Sequence, residues 1–78
     1  MPDRARRSSD SNPDRSTALA ELSVIADTIE RHRQRVASVA EPFLGTDRED
    51  VVSAVHEAER QLLMATRTLR RAIKTLEA

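Results

Sequence analysis

Two histidines and a glutamate are the side chains whose types and spacing could hold a metal ion or respond to pH. His56 and Glu59 are three residues apart, which places them on one face of a helix, and His32 could add a ligand from another segment. The set has no firm third protein ligand, because His56 falls outside the apolar pattern that contains His32. We therefore expect no metal and no cofactor, and we expect a half-buried His32 that pairs with Glu59.

A basic cluster near the end of the chain could contact nucleic acid or another anionic surface. The cluster consists of Arg67, Arg70, Arg71 and Lys74. We expect only Glu21 and Asp27 as acidic residues close to it. Against such contact, thirteen basic residues balance thirteen acidic ones, Phe43 is the sole aromatic residue, and no helix-turn-helix spacing is present. A small nucleic-acid-associated regulator that uses this cluster and the arginines of the N-terminal segment is therefore an alternative function.

Enzymatic chemistry has little support in the sequence. Gly45 is the only glycine, so a glycine-rich phosphate-binding loop is excluded, and no nucleophile elbow is present. A thin hairpin has no interior in which carboxylates could be enclosed and a substrate desolvated. We predict a non-catalytic protein without a small-molecule substrate.

Apolar stripes of heptad period lie on both sides of one Pro-Phe-Leu-Gly break, and they predict the shape of the chain. The main stripes are Leu22, Ile29, Val36 and Phe43 before the break and Val55, Leu62, Leu69 and Leu76 after it. The interleaved stripes are Ala18, Ile25, His32 and Val39 before the break and Val51, Ala58, Ala65 and Ala72 after it. A chain that folds back at Gly45 and Thr46 would pair these positions layer by layer. The sequence therefore predicts an all-α fold, an antiparallel two-helix hairpin whose seam contains both kinds of stripe.

The predicted organisation has two parts. Residues 1–15 have almost no apolar side chains, so we expect a disordered N-terminal tail there. Residues 16–78 form the hairpin, with helix one at about 16–41, the turn at 42–46 and helix two at about 47–77.

Local signals define the ends of the predicted helices. Asp14, Ser16 and Thr17 offer side-chain oxygens that could cap the start of helix one. Pro42 ends that helix, and Gly45 can adopt the left-handed conformation that closes a helix end. At the start of helix two, Thr46-Asp47-Arg48-Glu49 fits a capping box.

Charged residues on the two helices favour a particular register. Arg31, Arg33 and Arg35 would run beside Glu57 and Glu59 in the hairpin. We expect ion pairs between the helices here, which would help to align them and would not form a binding patch.

The apolar surface predicted for helix two exceeds what one partner helix can cover. Leu63 and Met64 lie beside the stripes, Val52 and Ile73 widen the other flank, and the alanines at 58, 65 and 72 would allow close helix approach. We therefore predict a protein–protein interaction module that either self-associates, as a four-helix bundle, or binds a larger helical partner. The predicted interaction residues are Leu22, Ile25, Ile29, Val36, Val55, Leu62, Leu63, Leu69, Ile73 and Leu76.

Composition sets the expected location. Cysteine is absent, so disulfides and thiolate zinc sites are excluded. We find no signal-peptide core and no membrane-spanning run, and we expect a cytoplasmic protein without membrane contact. Twelve arginines against one lysine, with eleven alanines, suggest a GC-rich genome such as that of an actinobacterium.

The hairpin with Phe43, Leu44 and Gly45 in its turn resembles the WXG100 proteins, small secreted actinobacterial hairpins joined by a Trp-x-Gly turn. Phe43 stands where that family has tryptophan, and the chain contains no tyrosine for a Tyr-x-x-x-Asp export signal. The resemblance implies export as a helical dimer through a specialised secretion system, which is a further alternative function.

Overall fold

A computed structural model describes residues 14–78 of the chain, which form two long helices joined by a short turn. Helix α1 spans Arg15–Ala40 and helix α2 spans Glu49–Glu77, with a 3₁₀ turn, Glu41–Phe43, after α1. The helices pack against each other along their length in antiparallel orientation. The all-helical hairpin is therefore confirmed, whereas most of the predicted tail, at residues 1–13, lies outside the described residues.

Asp14 starts α1 by capping its free backbone amides. Its carboxylate accepts hydrogen bonds from the Ser16 amide at 3.0 Å and from the Thr17 hydroxyl at 2.8 Å. Asp14, Ser16 and Thr17 were the three predicted capping residues, and Asp14 is the N-cap residue of the helix. Arg15 is consequently the first residue of α1.

The turn ends α1 as predicted, but α2 begins later than predicted and without a capping box. Pro42 lies in the 3₁₀ turn, and Gly45 has φ +76°, the left-handed conformation. The Thr46 hydroxyl donates to the Phe43 carbonyl oxygen at 2.7 Å and accepts from the Arg48 amide at 3.1 Å. Because these contacts use the hydroxyl to close the turn, it does not bond the Glu49 amide. Arg48 becomes the N-cap residue.

The seam between the helices combines the main stripes with the positions four residues after them. The most buried side chains are Ala26 and Ala40 on α1 and Val52 and Thr66 on α2, at 0, 2, 8 and 4% exposure. Ala26, Ala40 and Thr66 each follow a residue of the main stripe by four positions, and Val52 precedes Val55 of that stripe by three. Of the interleaved stripes, predicted to share the seam, five residues are exposed outside it: Ile25, His32, Val39, Ala65 and Ala72. The other three, Ala18, Val51 and Ala58, are half-buried at the edge of the seam. Val52 and Ile73, predicted to widen a flank, belong to the seam.

Small side chains explain this choice of seam. Ala26 and Ala40 have only a Cβ atom, so α2 can approach α1 closely at those layers, and larger residues of the main stripes fill the space between them.

Within residues 14–78, no helix is long and apolar enough to span a membrane.

Candidate interaction surface

The hairpin has two broad faces, and ion pairs mark one of them as the charged face. Arg70 on α2 donates to Asp27 on α1 at 3.1 Å, which bridges the two helices on this face. Arg33 lies here as well, hydrogen-bonded to Glu30 through two of its nitrogens. A shallow depression of the same face is lined by Arg33, His56, Glu59, Arg60 and Leu63.

Electrostatics on the charged face act mainly within one helix. The Arg33 guanidinium, hydrogen-bonded to Glu30, holds the pKa of the Glu30 carboxyl below its ordinary value, and Glu30 in turn raises the pKa of Arg33. Glu59 on α2 adds a smaller contribution across the seam. The predicted pairing of Arg33 with α2 is therefore reduced to a long-range attraction, because a partner three residues away on α1 is closer.

Other charged residues of this segment also find their hydrogen-bond partners within their own helix. Arg31 donates to the Thr28 hydroxyl, and Glu57 accepts from Arg60 and Gln61 of its own helix. The prediction that Arg31, Arg33 and Arg35 pair with Glu57 and Glu59 is thus wrong for the contacts that the structure shows.

The second broad face carries the interleaved stripes of both helices, and we call it the stripe face. Helical residues advance by about 100° each, so Ile25 lies about 160° from Asp27 around α1, and Ala65 about 140° from Arg70 around α2. Since Asp27 and Arg70 define the charged face, the exposed members of both interleaved stripes lie on the opposite one. The hairpin thus exposes side chains that the sequence analysis placed in its seam.

The stripe face is free of charge along its centre and unequal in bulk between the helices. Ile25 is 45% exposed and Val39 is 56% exposed on α1. On α2 the same face presents the alanines of the interleaved stripe, of which Ala65 and Ala72 are exposed. Charged residues occur only toward its edges, where Glu21 and Arg35 flank α1 and Asp50 and Glu57 flank α2.

His32 lies on the stripe face between Ile25 and Val39, and it is exposed. The predicted half-buried pairing with Glu59 is wrong, because Glu59 packs in the seam toward the charged face. Among residues 14–78, no group of three or more His, Cys, Asp or Glu side chains is arranged to hold a metal ion.

The predicted interaction residues divide between seam and surface. Ile25 is exposed, and Leu63 is half-buried at the edge of the charged face. The other members line the seam and are partly buried: Leu22, Ile29, Val36, Val55, Leu62, Leu69, Ile73 and Leu76. Four exposed apolar residues were absent from the predicted interaction residues, namely Val24, Val39, Leu44 and Met64. Val39 was recognised as a stripe residue, and its spacing of fourteen from Ile25 was the signal that could have identified it.

The predicted basic cluster forms one surface on the outer side of α2. Arg67, Arg70, Arg71 and Lys74 line a common shallow depression. Arg70 is held by Asp27, one of the two acidic residues expected nearby. The cluster faces away from the stripe face, so the two surfaces can be tested separately.

Comparisons with protein-family models, with curated proteins and with solved structures found no match to this chain. The resemblance to the WXG100 proteins therefore stays a prediction, and the functional argument depends on the geometry described above.

Proposed function

We propose that the protein is a non-catalytic interaction module that binds another helical surface through its stripe face. The observation that carries this proposal is the exposure of Ile25 and Val39 on a face where both helices lack charge along the centre. Uncharged apolar surface of this kind, bordered by polar side chains, is typical of protein–protein contacts.

The thinness of the hairpin supports the same proposal. Among residues 14–78, no large side chain is fully buried, and the buried apolar residues are Ala26, Ala40 and Val52. Two packed helices bury only the side of each helix that faces the seam, whereas stable helical domains enclose a core between two layers. A second helical layer on the stripe face would bury the main stripes and the interleaved stripes together.

The test is the effect of Ile25→Asp on association, measured by light scattering during size-exclusion chromatography over a range of protein concentrations. We expect the unchanged chain to form a dimer or larger complex, and we expect Ile25→Asp to shift it toward the monomer. A charge placed at the centre of an apolar contact is strongly unfavourable because it loses its hydration.

Met64→Asp is the matched control, since Met64 is apolar and 55% exposed, against 45% for Ile25. Met64 lies about 100° further from the seam than Ala65, on the back of α2, whereas Val24 shares a surface depression with Ile25. We expect this variant to associate like the unchanged chain. A chain that stays monomeric at high concentration would exclude self-association, and equal effects of the two variants would exclude the stripe face as the binding surface.

A second candidate function is contact with an anionic surface such as nucleic acid, and it is favoured by the basic cluster of α2. The observation is that four cationic side chains line one depression. The affinity of such binding falls steeply as the salt concentration rises. We would titrate DNA and RNA at low and physiological salt with the double variant Arg67→Ala, Arg71→Ala as control. Absence of binding at low salt would exclude this function.

A further inference from the structure

We propose that the stripe face binds a second copy of this chain, related by a twofold axis parallel to the helices. This inference depends on the proposed function and specifies its partner. In this arrangement α1 of one protomer packs antiparallel against α2 of the partner, and both turns lie at the same end of a four-helix bundle. The alternative twofold axis, perpendicular to the helices, would instead place α1 on α1 and α2 on α2.

Complementary side-chain size is the first argument for a second copy in this arrangement. At its two central layers, the stripe face has the bulky residues Ile25 and His32 on α1 and the alanines Ala65 and Ala58 on α2. With the axis parallel to the helices, Ile25 meets the layer of the partner's Ala65. Bulky side chains then fill the spaces above alanines at the two central layers of both contacts, while the end layers place Ala18 by the partner's Ala72 and Val39 by the partner's Val51. The perpendicular axis would bring bulky residues together at one contact and leave a gap at the other.

Complementary charge at the edges of the stripe face is the second argument. Arg35 on α1 and Glu57 on α2 lie in the same layer of the hairpin but project from opposite outer edges. With helix axes about 9 Å apart, their Cβ atoms are about 14 Å apart within one protomer, too far for an ion pair. The proposed axis brings Arg35 beside the partner's Glu57, and the symmetry forms this contact twice.

The available area is the third argument. Residues 18–39 extend about 32 Å along α1, and two adjacent helices present a face about 20 Å wide. Contact over this face would bury about 600 Å² per protomer and about 1,200 Å² in total, which reaches the range of specific stable interfaces.

The test uses engineered cysteines, for which the natural absence of cysteine gives a clean background. One full-length chain carries Arg35→Cys, and a second, labelled with ¹⁵N, carries Glu57→Cys. The two are mixed, allowed to exchange subunits and oxidised gently, and the disulfide-linked dimers are counted by mass spectrometry. Both substitutions are at exposed edge positions, and circular dichroism checks that helix content is retained.

We expect the mixed disulfide to exceed its statistical share, because only the proposed axis brings position 35 close to position 57 of the partner. The second pair, Thr28→Cys with Arg35→Cys, reports the perpendicular axis, since Thr28 and Arg35 lie on the same edge of α1. Excess mixed disulfide in that pair, or a purely statistical distribution in the first pair, would overturn the proposed arrangement. The Ile25→Asp experiment would still decide the proposed function, so the two failures are distinguishable.

Discussion

Thr66 combines deep burial with an unused hydrogen-bonding group. Its side chain is 4% exposed in the seam, and its Oγ1 atom has no hydrogen-bond partner among the described residues. Burial of a hydroxyl without a partner costs free energy, and valine has nearly the same shape with a methyl group in its place. We expect Thr66→Val to raise the free energy of unfolding by about 1–2 kcal/mol.

Thr68→Val is the matched control for that prediction. Thr68 is exposed, and its hydroxyl donates to the Met64 carbonyl oxygen at 3.0 Å. Its replacement by valine therefore removes a hydroxyl that has a hydrogen-bond partner. We expect a change within about 0.5 kcal/mol. Thermal unfolding of both variants at one fixed protein concentration is the measurement, because association would otherwise shift the midpoint. A destabilised Thr66→Val variant would show that the hydroxyl has a partner in solution.

Asp14 makes the start of α1 sensitive to acid. Hydrogen bonds from the Thr17 and Ser16 hydroxyls and from the Ser16 amide hold the pKa of the Asp14 carboxyl below its ordinary value of 3.8. A carboxyl with a lowered native pKa stabilises the folded state fully above its ordinary pKa, and this contribution is lost as the pH falls through the native value.

The corresponding variant is Asp14→Ala, followed by circular dichroism during thermal unfolding from pH 6 down to pH 2. We expect a lower unfolding midpoint than that of the unchanged chain at pH 6, because the cap is lost. The difference should shrink below the ordinary pKa of 3.8 as Asp14 itself becomes protonated. Asp14→Asn keeps a capping oxygen without a titrating group, so its midpoint should stay closer to that of the unchanged chain. A difference between the Ala variant and the unchanged chain that is constant with pH would contradict this account.

At the scale of elements, the turn depends on one backbone conformation. Gly45 has φ +76°, and a Cβ atom built there would meet no other atom within 4 Å. The cost of Gly45→Ala is therefore a backbone cost alone, which we expect to lower the free energy of unfolding by about 1 kcal/mol. Urea unfolding is the measurement.

Gly45→Asn separates conformation from the mere presence of a side chain. Asparagine adopts the left-handed region more readily than alanine does, so the Asn variant should lose less stability. Equal losses would indicate that the side chain itself, and not the value of φ, causes the change.

The helices and the turn could be predicted from local signals, but the choice of seam could not. Pro42, Gly45 and the heptad spacing act within a few residues, and each is reproduced in the structure. Around each helix, the main stripe is flanked on one side by the interleaved stripe and on the other by the positions four residues after it, and both flanks contain apolar or small residues. A rotation of the helix by about 60° about its axis decides which flank enters the seam. Ile25 and Val39 were expected in the seam because they interleave with the main stripe at heptad spacing, whereas the structure uses Ala26 and Ala40.

The remaining differences arise from competition between local and distant partners. Arg33 pairs with Glu30 one turn away on α1, and Thr46 bonds within the turn, although each also had a predicted partner further along the chain. Contacts within one helix or turn order fewer residues than contacts between helices, so they are favoured where both are possible.

At the scale of the whole molecule, the stripe face gives the hairpin two sides of opposite character. Ion pairs and the basic cluster occupy one side, and uncharged residues occupy the centre of the other. The heptad period extends over three positions of each helix: the seam uses two of them, and most residues of the third are exposed on the stripe face. His32 is the polar exception at the centre of the stripe face.

We expect His32→Leu to tighten self-association. Leucine at this position would bury an apolar side chain in each protomer of the dimer, and burial of one leucine contributes about 1.5–3 kcal/mol. Since about 1.4 kcal/mol corresponds to a tenfold change in affinity, the dissociation constant should fall at least tenfold. Sedimentation equilibrium over a range of concentrations gives this constant.

His56→Leu is the matched control, because His56 is the only other histidine, is exposed, and lies on the charged face beside Glu59 and Arg60. The same change in hydrophobicity there should leave the dissociation constant unaltered. If both variants associate more tightly, added hydrophobicity alone causes the effect and the stripe face has no special role. If His32→Leu weakens association, the imidazole makes a polar contact across the interface, and the stripe face is a more specific surface than its apolar content indicates.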